Sequence, residues 1–129
     1  MSYTSTSATA LRTNRRFPKL SANGIFAGGD GRGCRPAPQP IVASQFEDAL
    51  AFLSRLTPTK TARICSYVLK HIAERWAGSY ISNGALIAAA LALRLVVETY
   101  PPSWGDNPTV AVGVSRKSLK ALTARRVTA

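Results

Sequence analysis

The feature that most constrains this fold is an unbroken apolar run, GALIAAALAL, at positions 84–93. A helix needs about 20 apolar residues to cross a bilayer, so this run is too short for a membrane span. A helix that is apolar on every side has to be covered on every side. Ser82 or Asn83 can cap its start, and we therefore predict a central, buried helix over residues 83–95.

The cover for this helix has two candidate sources. A domain of about 75 ordered residues encloses a whole helix with difficulty, because small domains bury a limited share of their surface. Either the hairpin that follows the helix covers its second side, or a second copy of the chain does. The alanines form a smooth strip that lets another backbone come close. The predicted homodimer or partner interface comprises Ala85, Ala88, Ala89, Ala92 and, in the loop after the helix, Trp104.

Two amphipathic helices are predicted before the central one. Ser44 and Glu47 have the spacing of a capping box, and the apolar residues between Phe46 and Leu56 give the first helix a broad core-facing side. The Thr-Pro pair at positions 57–58 suits the N-cap and the first position of a second helix, because proline lacks a donor that this position does not need.

The second helix is predicted over residues 58–77, with Gly78 as a left-handed C-cap. At about 100° per residue, its apolar side chains share one face. The opposite face holds three cations, one acid and one aromatic residue, namely Lys60, Arg63, Lys70, Glu74 and Tyr67. This face is either a solvated surface with a Glu–Lys type pair or a basic binding surface.

A β-hairpin is predicted after the central helix, because β-branched residues in segments 95–100 and 109–114 flank the turn-forming sequence PPSWGDNP. Ser115 can then cap a short basic helix. The predicted fold class is therefore α+β, with a three-helix core, a β-hairpin and a C-terminal basic helix. This element order resembles the winged-helix family, whose third helix normally enters the major groove of DNA. The apolar helix 83–95 departs from that family, because base contacts need polar side chains on one face.

Composition divides the chain into three parts. Residues 1–40 are rich in Ser, Thr, Arg, Gly and Pro without an apolar stripe, and we predict a disordered arm and linker there. The folded domain is expected over residues 41–114, followed by a basic helix or tail over residues 115–129. We expect a cytoplasmic protein, or an organellar one if the Ser/Thr/Arg-rich start is a transit peptide.

The charge distribution indicates a polyanionic partner. The net charge is +11. Residues 1–40 contain six basic residues and one acidic residue, and residues 41–114 contain six basic and five acidic residues. Residues 115–129 contain five basic residues and no acidic residue. Both ends are therefore basic around a nearly neutral centre, which favours nucleic acid as the partner. The residues expected to contact phosphates are Arg12, Arg15, Arg16, Lys60, Arg63, Lys70, Arg116, Lys117 and Lys120.

No pattern in the sequence indicates catalysis, a metal site or a cofactor. The chain has one histidine and two cysteines, and Cys65 and His71 do not share a face of the predicted helix, so a zinc site lacks ligands. No nucleophile-elbow, paired-acid or dinucleotide motif is present. We therefore predict a small non-enzymatic nucleic-acid-binding protein, regulatory or accessory, with DNA as the first expectation. The alternative is a protein–protein interaction module that binds its partner through helix 83–95.

Overall fold

A computed structural model describes residues 17–25, 39–101, 103 and 107–128 of the 129-residue chain. Within these residues the architecture is α+β, with four helices and a small three-stranded antiparallel sheet. The predicted mixed fold class is confirmed, although several elements begin or end at other residues. In chain order the elements are α1 (Ala43–Leu53), β1 (Ile64–Cys65), α2 (Ser66–Ala77), α3 (Asn83–Ala92), β2 (Val97–Thr99), β3 (Val110–Val112) and α4 (Arg116–Thr128).

Helix α1 begins earlier than predicted and has no capping box. Its N-cap is Val42, whose backbone is extended at φ −82° and ψ 127°. Ser44 and Glu47 therefore lie inside the helix. The predicted capping box is wrong, because its serine has to stand in extended backbone before the first turn. The core-facing side is as expected, with buried side chains at Phe46, Ala49, Phe52 and Leu53.

Residues 58–65, predicted as part of the second helix, are not helical: they run alongside β3 at both ends and bend at residues 60–61. The Thr59 N–H donates to the Gly113 carbonyl at 3.0 Å, and β1 pairs antiparallel with β3. Partners in a strand far along the chain thus decide the conformation of this segment and override its local helical pattern. Helix α2 keeps the predicted C-cap at Gly78, which has a left-handed φ of 77°.

Helix α3 is the buried centre of the fold, as predicted. The Ser82 hydroxyl caps its start by accepting from the Ala85 N–H at 3.1 Å. Every residue from Asn83 to Ala90 is buried, and both α1 and α2 pack against the helix. Across the described residues no helix, α3 included, has the length and apolar character needed to cross a bilayer.

The end of α3 comes at Ala92, before the predicted end at residue 95. Arg94 stands in the left-handed region at φ 59° and turns the chain away from the helix axis. The Leu95 N–H donates to the Ala90 carbonyl and the Arg94 N–H to the Leu91 carbonyl, both at 3.0 Å. This pair of hydrogen bonds is a Schellman motif, with arginine where glycine is usual.

A segment from the start of the chain covers the first turn of α3. We call residues 17–25 the N-terminal strap. The Gly84 N–H donates to the Ala22 carbonyl in the strap at 3.0 Å. A side chain at position 84 would overlap the Ser21 carbonyl oxygen, so this close approach requires glycine. Apolar residues of the strap are buried with the core, and the folded domain therefore includes residues that the sequence placed in the linker.

The alanine strip of α3 packs against the chain itself. Ala85, Ala88 and Ala89 are buried in the single chain, whereas Ala92 at the end of the helix is exposed. The chain's own segments therefore supply the cover seen in this structure. A homodimer contact through the buried alanines would require these segments to move away. Trp104, the last residue of the predicted interface, lies outside the described residues.

The predicted hairpin is confirmed and gains a third strand. Strands β2 and β3 pair antiparallel, with Val97 opposite Val112, and β1 pairs antiparallel with β3 on its other side. The strand order is therefore β1-β3-β2. Along β3, buried Val110 and Val112 alternate with half-buried Ala111, which places one face of the sheet on the core.

Some predictions for the N-terminal arm fall on residues that the structure does not describe. Arg12, Arg15 and Arg16 lie outside the described residues, and so does most of the segment for which disorder is predicted, residues 1–16 and 26–38. These residues contribute to the functional proposal through their sequence alone.

Candidate functional site

Two segments that are far apart in sequence meet beside strand β3: the extended chain 57–63 and the start of α4. The Ser115 N–H donates to the Thr57 carbonyl at 2.8 Å, and the Thr57 N–H donates to the Ser118 hydroxyl at 3.0 Å. This reciprocal pair of hydrogen bonds holds the extended chain against the first turn of the helix. Both segments contain basic residues and no acidic residue.

Arg116 joins the two segments a second time. Its guanidinium Nη2 donates to the Arg63 carbonyl at 3.0 Å, so the arginine side chain of α4 reaches the backbone of the extended chain. The Arg63 N–H donates to the Val112 carbonyl at 3.0 Å, which fixes this part of the backbone to β3. Both arginines remain exposed, and their charges are therefore accessible to a ligand.

The start of α4 adds a helix dipole to these charges. The Ser115 hydroxyl caps the helix, as predicted, by accepting from the Ser118 N–H at 3.1 Å. The first turn contains no acidic residue and begins with Arg116 and Lys117. Cations at the positive end of a helix dipole repel it, and a bound anion relieves that repulsion. The electrostatics of this turn therefore favour an anionic ligand.

Five exposed cations of these two segments form what we call the basic edge. On α4, Lys117 and Lys120 are exposed while Leu119 is buried, so the helix presents its lysines to solvent. Lys60 is exposed on the extended chain. The basic edge comprises Lys60, Arg63, Arg116, Lys117 and Lys120. It contains five of the nine residues predicted to contact phosphates. Two of them precede α2 and three lie on α4.

Lys70, predicted for the same surface, lies elsewhere and is buried. Helix α2 starts at Ser66, so Lys60 and Arg63 are not on the same helix as Lys70 and do not share a helix face with it. Its ammonium is enclosed by other side chains of α2 and of the turn that follows. The predicted placement of Lys70 beside Lys60 and Arg63 is therefore corrected, and its paired, enclosed ammonium is left out of the proposed phosphate-binding set.

Lys70 and two of the residues that meet around it were predicted to share one helix face, with a Glu–Lys type pair as one alternative, whereas Tyr80 was not predicted. The Lys70 Nζ lies 3.2 Å from Glu74 Oε1 and over the rings of Tyr67 and Tyr80, at 5.4 and 4.6 Å from their centroids. We call these four residues the tyrosine clamp. His71 adds an Nδ1 contact to Glu74 Oε1 at 3.0 Å. Residues spaced three or four apart on a helix are neighbours, which predicts the contacts among Tyr67, Lys70 and Glu74. Tyr80 lies beyond the end of the helix, so this spacing does not predict its contact.

A further polar group of the described residues is the Tyr100 phenol. Burial raises the pKa of the Tyr100 phenol above its ordinary value of 10.0, and a hydrogen bond and charge interaction with Cys65 raise it further. The phenol therefore stays protonated at neutral pH and is not primed as a base. The described part of the chain contains no group of three or more side chains of the metal-ligating types.

Comparison of the chain with protein-family models, with curated protein sequences and with solved structures finds no match. The fold and the site are therefore interpreted from their own geometry and chemistry, since element order alone does not give function. Three features carry that interpretation: the basic edge, the tyrosine clamp, and the strap that covers the start of α3.

Proposed function

We propose that this chain is a small non-enzymatic nucleic-acid-binding protein with a regulatory or accessory role. The observation that carries the proposal is the hydrogen bond from Arg116 to the Arg63 carbonyl, which joins the cations of the extended chain to those of α4. The resulting basic edge is exposed, and the two segments that build it contain no carboxylate. Such a surface binds a phosphate backbone by neutralising its charges and releasing counterions.

The element order resembles one found in nucleic-acid-binding proteins, although the order by itself does not give function. Three helices followed by a two-stranded hairpin resemble the winged-helix layout, and β1 adds a third strand to that hairpin. In helix-turn-helix proteins the recognition helix enters the major groove. The corresponding helix here, α3, is buried, and its first turn lies under the strap. We therefore propose a binding mode that does not place α3 in a groove.

This binding mode has little sequence preference. Phosphate contacts fix the position of a protein on nucleic acid, but they do not read the base sequence. Each neutralised phosphate adds about 0.9 to the slope of log affinity against log salt on duplex DNA, and about 0.7 on a single strand. Arg12, Arg15 and Arg16 extend the proposed phosphate-binding set on the basis of sequence.

A protein-binding role through α3 has less support. Three of the four alanines predicted for that interface are buried within the chain, and the strap covers the first turn of the helix. A partner would have to displace these segments before it reached the alanine strip. Exposed cations on the basic edge require no such rearrangement to meet a ligand.

The test is equilibrium binding of the full chain to a short labelled DNA duplex and to a single-stranded RNA of equal length, measured by fluorescence anisotropy at several salt concentrations. The triple variant R116Q/K117Q/K120Q should weaken binding to every sequence. On the duplex its log–log salt slope should fall by about 2.7, since three phosphate contacts of about 0.9 each are removed.

The matched control is K19Q/R55Q/R94N, which removes the same charge at exposed positions that do not belong to the basic edge. Asparagine is chosen at position 94 because it tolerates the left-handed backbone there. The control should bind nearly as well as the wild type. Absence of binding by the wild type at low salt overturns the proposal. Equal weakening by the two triple variants would show that net charge, and not the basic edge, drives binding.

A further inference from the structure

Two exposed aromatic rings lie together on one side of the molecule. Tyr67 on α2 is 50% exposed, and Tyr80, which follows the helix, is 62% exposed. The Lys70 Nζ lies over both rings, 5.4 Å from the first centroid and 4.6 Å from the second. The two centroids are therefore at most 10 Å apart, the sum of these two distances.

Both tyrosines are held in place before any ligand binds. The Lys70 ammonium between them is anchored 3.2 Å from Glu74 Oε1. The same carboxylate accepts from the Ile81 N–H at 3.3 Å, which ties the turn that carries Tyr80 to α2. Because these contacts fix the rings in advance, a ligand that stacks on them loses little side-chain entropy.

The surroundings of the rings are aromatic and carry charges of both signs. His71 meets the Tyr67 ring edge-on, with centroids 4.6 Å apart, and exposed Arg75 lies one further turn along the same face of α2. The carboxylates in this neighbourhood are engaged within the chain: Glu74 pairs with Lys70, and Asp48 accepts from a serine hydroxyl at 2.9 Å. The exposed rings suit a planar ligand, and the positive charge that attracts its phosphates lies on Arg75 and the basic edge.

The basic edge begins close to the tyrosine clamp. Only three residues separate Arg63 from Tyr67, so their Cα atoms are at most about 14 Å apart. A strand of a few nucleotides bound at the basic edge is therefore long enough to span the distance to Tyr67. A nucleic-acid strand offers both the phosphates for the edge and the bases for the rings.

We propose that Tyr67 and Tyr80 form a stacking site for the bases of single-stranded nucleic acid. The inference rests on the proposed function and names the ligand class, a strand whose bases are unpaired. Proteins that bind single strands without sequence preference combine a positive surface with aromatic rings, since every base has a π face to stack. A duplex keeps its base faces inside the helix and cannot make this contact.

The experiment compares two labelled strands of equal length, one of thymidines and one of abasic spacers that keeps the phosphates without the bases. The full chain should bind the thymidine strand at least about fivefold more tightly, the factor expected from stacking on one ring. The variant Y67A/Y80A should lose this preference while its salt slope stays the same. The control Y67F/Y80F keeps both rings and should keep the preference.

Because both tyrosines are exposed, the alanine variant should remain folded, which circular dichroism and thermal unfolding verify. Equal affinity of the wild type for the two strands, with binding retained, overturns the stacking site and leaves the basic edge in place. An unchanged preference for the thymidine strand in Y67A/Y80A also overturns the stacking site, and a protein partner would then be the candidate ligand of the two rings. Loss of all binding by the wild type would remove the proposed function together with this inference.

Discussion

The Ser66 hydroxyl donates to Asn83 Oδ1 at 2.9 Å, and both side chains are buried. The same hydroxyl accepts from the Val110 N–H at 3.1 Å, so one oxygen joins the first residues of α2, α3 and β3. The Asn83 amide donates to the carbonyls of Asn23 and Pro108, at 3.3 and 3.4 Å. This buried network connects the strap, two helices and the hairpin at one point.

Replacing Ser66 with alanine should destabilise the fold by about 1–3 kcal/mol, because the Val110 N–H and Asn83 Oδ1 lose a buried partner. Urea denaturation of the wild type and S66A measures the difference. Ser79→Ala is the control, since that hydroxyl binds the Asp48 carboxylate at 2.9 Å on the surface, where water replaces it. Its cost should stay below about 0.5 kcal/mol. Similar losses in the two variants would contradict a special role for the buried network.

Gly84→Ala should detach the strap from α3. The added methyl group would overlap the Ser21 carbonyl oxygen, and the bond to the Ala22 carbonyl would be lost with it. We expect a loss of about 1–3 kcal/mol and faster tryptic cleavage after Lys19 in the strap. In a chain that lacks residues 1–25 the same change should be neutral or stabilising, because alanine is the better helix former. If Gly84→Ala also lowers the stability of the shortened chain, the added methyl group does not act through the strap.

Arg94→Gly should stabilise the protein. Arg94 occupies the left-handed position of the Schellman motif, at φ 59°, where a side chain costs about 1 kcal/mol relative to glycine. Thermal unfolding should show a rise in Tm of about 4–8 °C for a domain of this size. The control Arg75→Gly places glycine inside α2 and should lower the Tm, because glycine is a poor helix former. A fall in Tm for both variants would contradict the strain at Arg94.

The stability of the fold should decrease at alkaline pH through Tyr100. Burial, and then the interaction with Cys65, raise the pKa of Tyr100 above 10.0, so the folded state holds the phenol proton more tightly than the unfolded chain. This contribution is complete below pH 10 and is lost as the pH rises through the folded-state pKa. Unfolding free energies between about pH 8 and 11 should fall more steeply for the wild type than for Tyr100→Phe. If the unfolding free energies of the two proteins fall equally with pH, the contribution of Tyr100 is contradicted.

Local chemistry was sufficient to predict the parts of the fold whose conformation is decided locally. The apolar run at 84–93 predicted a buried helix, which the structure shows as far as Ala90. The Ser82 cap and the Gly78 C-cap follow from short-range hydrogen bonding and backbone freedom. The non-helical conformation of residues 58–65 was not predictable in this way. That segment pairs with residues in and beside β3, and the residue pattern within the segment cannot indicate a partner so far along the chain.

The candidate site was predictable in composition but not in arrangement. Arg63 and Arg116 were both expected to bind phosphate, yet their contact depends on the extended chain that the sequence assigned to a helix. Lys70 was misplaced for the same reason, since a helical wheel groups charges correctly only when all of them lie on one helix. Tyr80 follows the end of α2, outside every periodic pattern, and only the turn brings it to Lys70.

The enclosure of α3 determines when this domain can fold during synthesis. The strap is anchored by the Ile25 N–H on the Pro108 carbonyl at 3.0 Å, and the sheet closes only when β3 is present. A nascent chain that stops before residue 108 has α1 and α2 to pack on α3, but it lacks the carbonyl that anchors the strap and the strand that closes the sheet. Long-range pairing of this kind delays folding and leaves apolar surface exposed for longer. The last step of folding should thus wait for β3 to leave the ribosome.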